Sequence, residues 1–133
     1  MEWGRRLKAL LDTHTFIWWL TDDDRLSHRV RQLICDPQSE IHVSAATVWE
    51  IATKIRIGKL ESSPFANGIQ TEIEIEQFVS VPVTSAHAEK AGYLDHKHKD
   101  PFDRMLIAQA LVEGLVIISN ETLFDQFGVP RLW

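Results

Sequence analysis

The chain has 133 residues, enough for one compact domain with its own core and too few for a second of ordinary size. At 44% apolar and 25% charged it has the composition of a globular protein, which excludes a disordered or low-complexity chain. The single cysteine, Cys35, excludes an internal disulfide and a cysteine-built zinc site, and the net charge of −5 argues against broad, non-specific binding to nucleic acid.

Arg5, Arg6 and Lys8 near the start are followed by Asp12 where a secretion signal would be apolar, so no such signal is expected and a cytoplasmic location is. Leu7 to Leu11 is a short apolar run that stops at Asp12 and predicts a first strand. Phe16 to Leu20 predicts a buried helical turn, far too short to span a bilayer, and Asp22-Asp23-Asp24 closes it. Ser27 is a good N-cap for a helix with Val30, Leu33 and Ile34 on one face, ended by Asp36-Pro37. Ile41 to Ser44 alternates as a second strand. Ser44 then caps a helix through Val48, Ile51, Ala52 and Ile55, which Gly58 stops.

Pro64 is placed to open a further helix, with Ile69, Ile73 and Ile75 as its apolar positions. Phe78 to Val83 predicts a third strand, where Pro82 implies an edge or a strand end. Thr84 begins a short helix that ends near Gly92. Asp100-Pro101 joins a capping residue to a proline at the first helical position, and the helix it opens runs to Gly114. Leu115 to Ile118 is a buried parallel strand, Ser119 to Phe127 a loop or short helix, and Val129 to Trp133 a last strand. Strands alternating with helices predict a three-layer α/β/α sandwich with a mainly parallel central sheet. Ligands of such sheets bind beyond the carboxyl ends of the strands, which is where Asp12 and Glu121 fall.

Four acids are candidates for a shared site. Asp12 follows a strand directly and is equally suited to N-capping the next helix. Glu50 lies off the Val48/Ala52/Ile55 stripe and four residues before Lys54, the spacing of a surface ion pair. Asp103 stands at the top of a face continued by Ile107 and Ala110, where a half-buried carboxylate needs a partner; Arg104 is a candidate neighbour. Glu121 follows Ser119-Asn120 and suits a helix start as well. Clustered carboxylates are what hard divalent cations such as Mg²⁺ require, and a cation would offset their charge. The chemistry this implies is metal-assisted phosphodiester hydrolysis. Thr13 and Thr15 are placed to hydrogen-bond a carboxylate or a metal-bound water, and Lys54, Arg56 and Lys59 make one helix face basic, ordinarily a solvated face but in a nuclease able to steer an RNA backbone. His14 beside Asp12 is expected to be a buried structural histidine, and Trp18 and Trp19 core residues. The histidines of Asp95 to Asp100 suggest a metal-free ribonuclease, but that stretch reads better as an exposed loop.

The segments Leu11 to Leu20, Val43 to Ala52, Asp100 to Ala110 and Gly128-Val129-Pro130 together resemble the PIN-domain family, specifically the VapC-type toxins of bacterial type II toxin–antitoxin pairs, in order and spacing from about Leu7 to Trp133. The resemblance implies a single PIN-like domain over residues 1–133, with residues 1–6 as an extension beyond the family's usual start. It implies an endoribonuclease dependent on Mg²⁺ or Mn²⁺, a homodimer with a possible higher assembly, and a cognate antitoxin. The family's first three acids fall on Asp12, Glu50 and Asp103. Its fourth usually follows a strand as Thr-x-Asp. Ser119-Asn120-Glu121 stands there, so either Glu121 or Asn120 supplies the fourth group. Thr13, Lys54 and Arg104 are the candidate substrate contacts. That departure supports an alternative, a non-catalytic module binding an antitoxin-like partner. A receiver-like signalling domain would want paired acids near the first strand and a Lys after the last, which this chain lacks.

Overall fold

The computed structural model describes residues 6–133; residues 1–5, most of the predicted extension, lie outside the described residues. The strands β1 (Lys8–Leu11), β2 (Glu40–Ser44), β3 (Val79–Val81), β4 (Val116–Ile118) and β5 (Arg131–Leu132) form one sheet in the order β3-β2-β1-β4-β5, each neighbouring pair parallel. The connections are α1 (Thr13–Leu20), α2 (His28–Cys35), α3 (Ala45–Arg56), α4 (Ile69–Ile75), α5 (Ser85–Tyr93) and α6 (Pro101–Glu113), with 3₁₀ turns at Ser63–Phe65 and Thr122–Phe127.

Period-two alternation divides the core into two layers. Ala9 and Leu11 of β1, Ile41 and Val43 of β2 and Ile118 of β4 face one side, where Phe16, Val30, Ile51 and Ile73 bring α1 to α4 against them. Leu10 and Ile117 face the other side, with Leu106, Ile107 and Ala110 of α6 and with Phe124. This is the predicted three-layer sandwich. No helix among the described residues is long and apolar enough to cross a membrane.

Local chemistry places the element ends. Ser27, Ser44, Thr84 and Asp100 each accept a backbone N–H of the helix that follows. Gly114 ends α6 at φ 70°, a left-handed conformation that glycine adopts without steric cost. β1 and β4 each begin one residue later than expected, and β3 and β5 are shorter by more. β3 stops at Val81 because Pro82 has no N–H for a ladder, and β3 is an edge strand. Only Arg131–Leu132 of the last apolar run pairs with β4.

Phe124 is completely buried, in a turn between the sheet and α6. Phe124→Ala is expected to cost about 3–5 kcal/mol, read as a lower urea midpoint with an unchanged slope.

Candidate active site

The chain runs from β1 through β2 to the β3 edge, then crosses to β4 on the opposite side of β1. The β1/β4 boundary is therefore the sheet's switch point, and its carboxyl edge is where an open α/β sheet forms a crevice. Asp12 follows β1 there, and Ser119-Asn120-Glu121 follows β4. The two ends are tied together: the Asp12 N–H donates to the Ile118 carbonyl at 3.2 Å, and so does the Thr15 hydroxyl at 3.1 Å.

Asp12 is buried, and its Oδ1 accepts the Thr15 N–H at 2.8 Å. The acid is thus both the N-cap of α1 and a member of the edge cluster. One ligand atom each from Asp12, His14 and Glu121 lie within 4.8 Å of one another. His14 is exposed, with Nδ1 3.7 Å from Glu121 Oε1, so it is not the buried structural histidine expected from sequence. It occupies the solvent side of α1's first turn, above the crevice. The Ser119 hydroxyl, fully buried, accepts the Glu121 N–H at 3.0 Å and fixes the turn that presents Glu121.

Glu50 is buried, contrary to the surface position its spacing suggested. The interior face of α3 runs through Ala46, Thr47, Glu50 and Ile51, while Ala52 is exposed. Two polar residues interrupt that face, so the apolar stripe visible in sequence is rotated away from the true one. Glu50 Oε1 accepts the Thr13 hydroxyl at 2.7 Å, and Oε2 meets Lys54 Nζ at 2.6 Å. Thr13 also lies 3.2 Å from the Thr47 hydroxyl. The residue next to Asp12 in sequence therefore ties α3's acid to the strand edge.

Asp103 is half-buried in the first turn of α6, with Oδ2 2.9 Å from His98 Nε2. Burial pushes its carboxyl up to about 6. The negative charges of Asp100 and Glu121 push the same way, and the His98 hydrogen bond pulls against them. Of the four predicted acids, the structure brings Asp12 and Glu121 into the 4.8 Å group; Glu50 and Asp103 stand outside it. Glu50 is linked to the group through Thr13, and Asp103 through the field of Glu121. Asn120 is exposed.

The donor set fits a divalent cation. Carboxylate oxygens are hard ligands suited to Mg²⁺, and an imidazole in the group extends the fit to Mn²⁺. Burial is the main cause of the raised Asp103 carboxyl, and the nearby charges of Asp100 and Glu121 add to it. Without metal, the folded chain binds a proton at Asp103 up to about pH 6, against 3.8 for the unfolded side chain. Native protein thus holds more protons between those values, so metal-free stability is lost as pH rises through about 6. Thermal melts in EDTA at stepped pH check this, with Asp103→Asn expected to flatten the slope.

The predicted substrate contacts fare differently. Thr13 is buried on Glu50, and Lys54 is paired to the same carboxylate. The Arg104 guanidinium donates to the carbonyls of Ala91, Gly92, Leu94, His96 and His98, which engages all its N–H groups and clamps the loop into α6; it pairs with neither acid. Trp18 and Trp19 pack in the core as expected, and Trp19 donates to Glu76 at 2.6 Å. Sequence reasoning assigned no role to His98 on Asp103; its only signal is a histidine in the loop feeding that helix. It also passed over Trp49, which precedes Glu50 and is 66% exposed.

Residues 9–130 match the PIN domain family. The chain is similar to Ribonuclease VapC22 of Mycobacterium tuberculosis, 26% identical over 125 residues that cover 92% of this chain and 94% of the relative. Its fold is similar to that of VapBC2 from Rickettsia felis bound to a promoter DNA fragment, with TM-score 0.71, 12% identity and coverage of 95% and 98%. DNA-bound VapBC from Salmonella typhimurium gives TM-score 0.69, 20% identity and coverage of 95% and 97%. FitAcB from Neisseria gonorrhoeae gives 0.67, 18%, and 94% and 96%. With the switch-point acids, the parallel five-stranded sheet and a match over nearly its whole length, the chain belongs to the PIN-domain family.

Proposed function

We propose that the chain is a Mg²⁺-dependent endoribonuclease, the toxin of a type II toxin–antitoxin pair. The observation that carries this is the gathering of Asp12 and Glu121 at the sheet's switch point, with Glu50 and Asp103 presented from α3 and α6 beside them. Asp12 and Glu121 would hold the cation, with Glu50 and Asp103 flanking it. A cation held there would supply positive charge against the phosphodiester and acidity to a water. Asp103, whose carboxyl burial pushes up to about 6 and whose Oδ2 lies 2.9 Å from His98 Nε2, would accept the proton of the attacking water. Thr13 and Lys54 hold Glu50 in place and limit its charge.

The name of the curated relative supports ribonuclease activity, and solved neighbours that are toxin–antitoxin complexes support a cognate antitoxin. RNA as substrate, a homodimer and a cytoplasmic location belong to the same proposal. The competing non-catalytic module drew on Glu121 standing where Asp is usual, and the approach of Glu121 to Asp12 weighs against it.

Incubation with RNA in Mg²⁺ or Mn²⁺, with EDTA as control, tests the activity; no cleavage in either metal would sink the proposal. Growth arrest on expression, relieved by co-expressing the neighbouring open reading frame, tests the toxin role. Binding has a readout of its own. Saturating Mg²⁺ is expected to raise the melting temperature by about 5 °C, and Asp12→Asn to abolish the rise.

A further inference from the structure

Among the described tryptophans, Trp18, Trp19 and Trp133 pack on the core, whereas Trp49 is 66% exposed on the outer face of α3. It is not alone. Its ring meets Phe102 of α6 at 5.1 Å between centroids and 69° between planes. Each ring immediately precedes one of the proposed site acids, Trp49 before Glu50 and Phe102 before Asp103. The aromatic pair thus bridges the two helices that flank the crevice.

We propose that Trp49, backed by Phe102, is a stacking platform for an unpaired nucleobase of the RNA beside the scissile phosphate; this rests on the nuclease function proposed above. Edge-on contact from Phe102 fixes the indole while leaving a ring face free. The exposed face of α3 continues from Trp49 through Ala52 to Arg56, so an aromatic and a cation follow one another along it. That pairing suits single-stranded nucleic acid, where bases stack on rings and cations track the backbone. A helical protein partner would instead want an apolar stripe, which Arg56 interrupts. With Lys54 paired to Glu50 and Arg104 held by carbonyls, stacking on Trp49 adds to the backbone contacts open to the exposed Arg56. A base inside a duplex offers no free face, so the platform selects unpaired segments.

The test is binding of a short oligouridylate in EDTA, where cleavage does not intrude, followed by fluorescence anisotropy. Trp49→Ala is expected to raise Kd about tenfold or more, and Trp49→Phe to keep most of the affinity. A Kd within twofold of the unsubstituted chain for Trp49→Ala would overturn the assignment, as would no binding by the unsubstituted chain. Sedimentation of the same samples gives the third reading. A change in oligomeric mass on Trp49→Ala would make the ring a contact between copies and overturn it too. Cleavage in Mg²⁺ separates the two proposals. Intact cleavage with unchanged Trp49→Ala binding removes the platform alone, whereas ring-dependent binding without any cleavage removes the nuclease alone.

Discussion

Asp103→Asn is expected to lower the proposed RNA cleavage by about 10³-fold at pH 7 while leaving the melting temperature equal to or above that of the parent chain in EDTA. The loss would follow from replacing the carboxylate proposed to take a proton with an amide that cannot. The retained fold follows from the local structure. Asp100, not Asp103, caps α6, and its Oδ1 accepts the Phe102 and Asp103 N–H groups whatever side chain residue 103 bears. An asparagine oxygen can still accept from His98. Removing a charge that burial, Asp100 and Glu121 all disfavour relieves the metal-free protein. Initial rates in Mg²⁺ beside melts in EDTA check both halves, and a fall of several degrees in the melt would make Asp103 a structural residue.

Arg104→Ala is expected to cost about 2–4 kcal/mol and to loosen the loop that delivers His98 to Asp103. The guanidinium joins the end of α5 to the loop from Leu94 to His98 and to α6, through five carbonyl oxygens. Truncation leaves those acceptors to solvent and the loop held to α6 by His98 on Asp103. Arg104→Lys does not rescue, because an ammonium cannot fan five donors across a plane. A lower urea midpoint together with faster tryptic cleavage at Lys97 and Lys99 is expected. Unchanged proteolysis would show that the loop is held by other means.

Element ends chosen by local chemistry were legible in the sequence. Asp100-Pro101 and Gly114 bound α6, and Ser44 and Thr84 open their helices, because a cap needs only its own next few residues. The alternation of strands and helices was enough for the layered architecture. What stayed hidden depends on distant partners. Glu50 looked solvated because its interior face is set by Thr13, far off in sequence, and not by apolar neighbours. Arg104 looked like a partner for acids because charge attracts charge, whereas the fold supplies it with carbonyls. His14 stood beside an apolar run yet lies on the outward turn of α1. Asp12 was ambiguous between cap and site, and it does serve as the cap while standing in the cluster.

The order of strands also governs timing. β4 inserts beside β1 only after most of the chain exists, and Glu121 lies just beyond it. At translation speeds of about 5–20 residues per second, the wait from Asp12 to Glu121 is roughly 5–20 s. Throughout that interval the nascent polypeptide holds its first acid without the last, and the proposed nuclease is dormant.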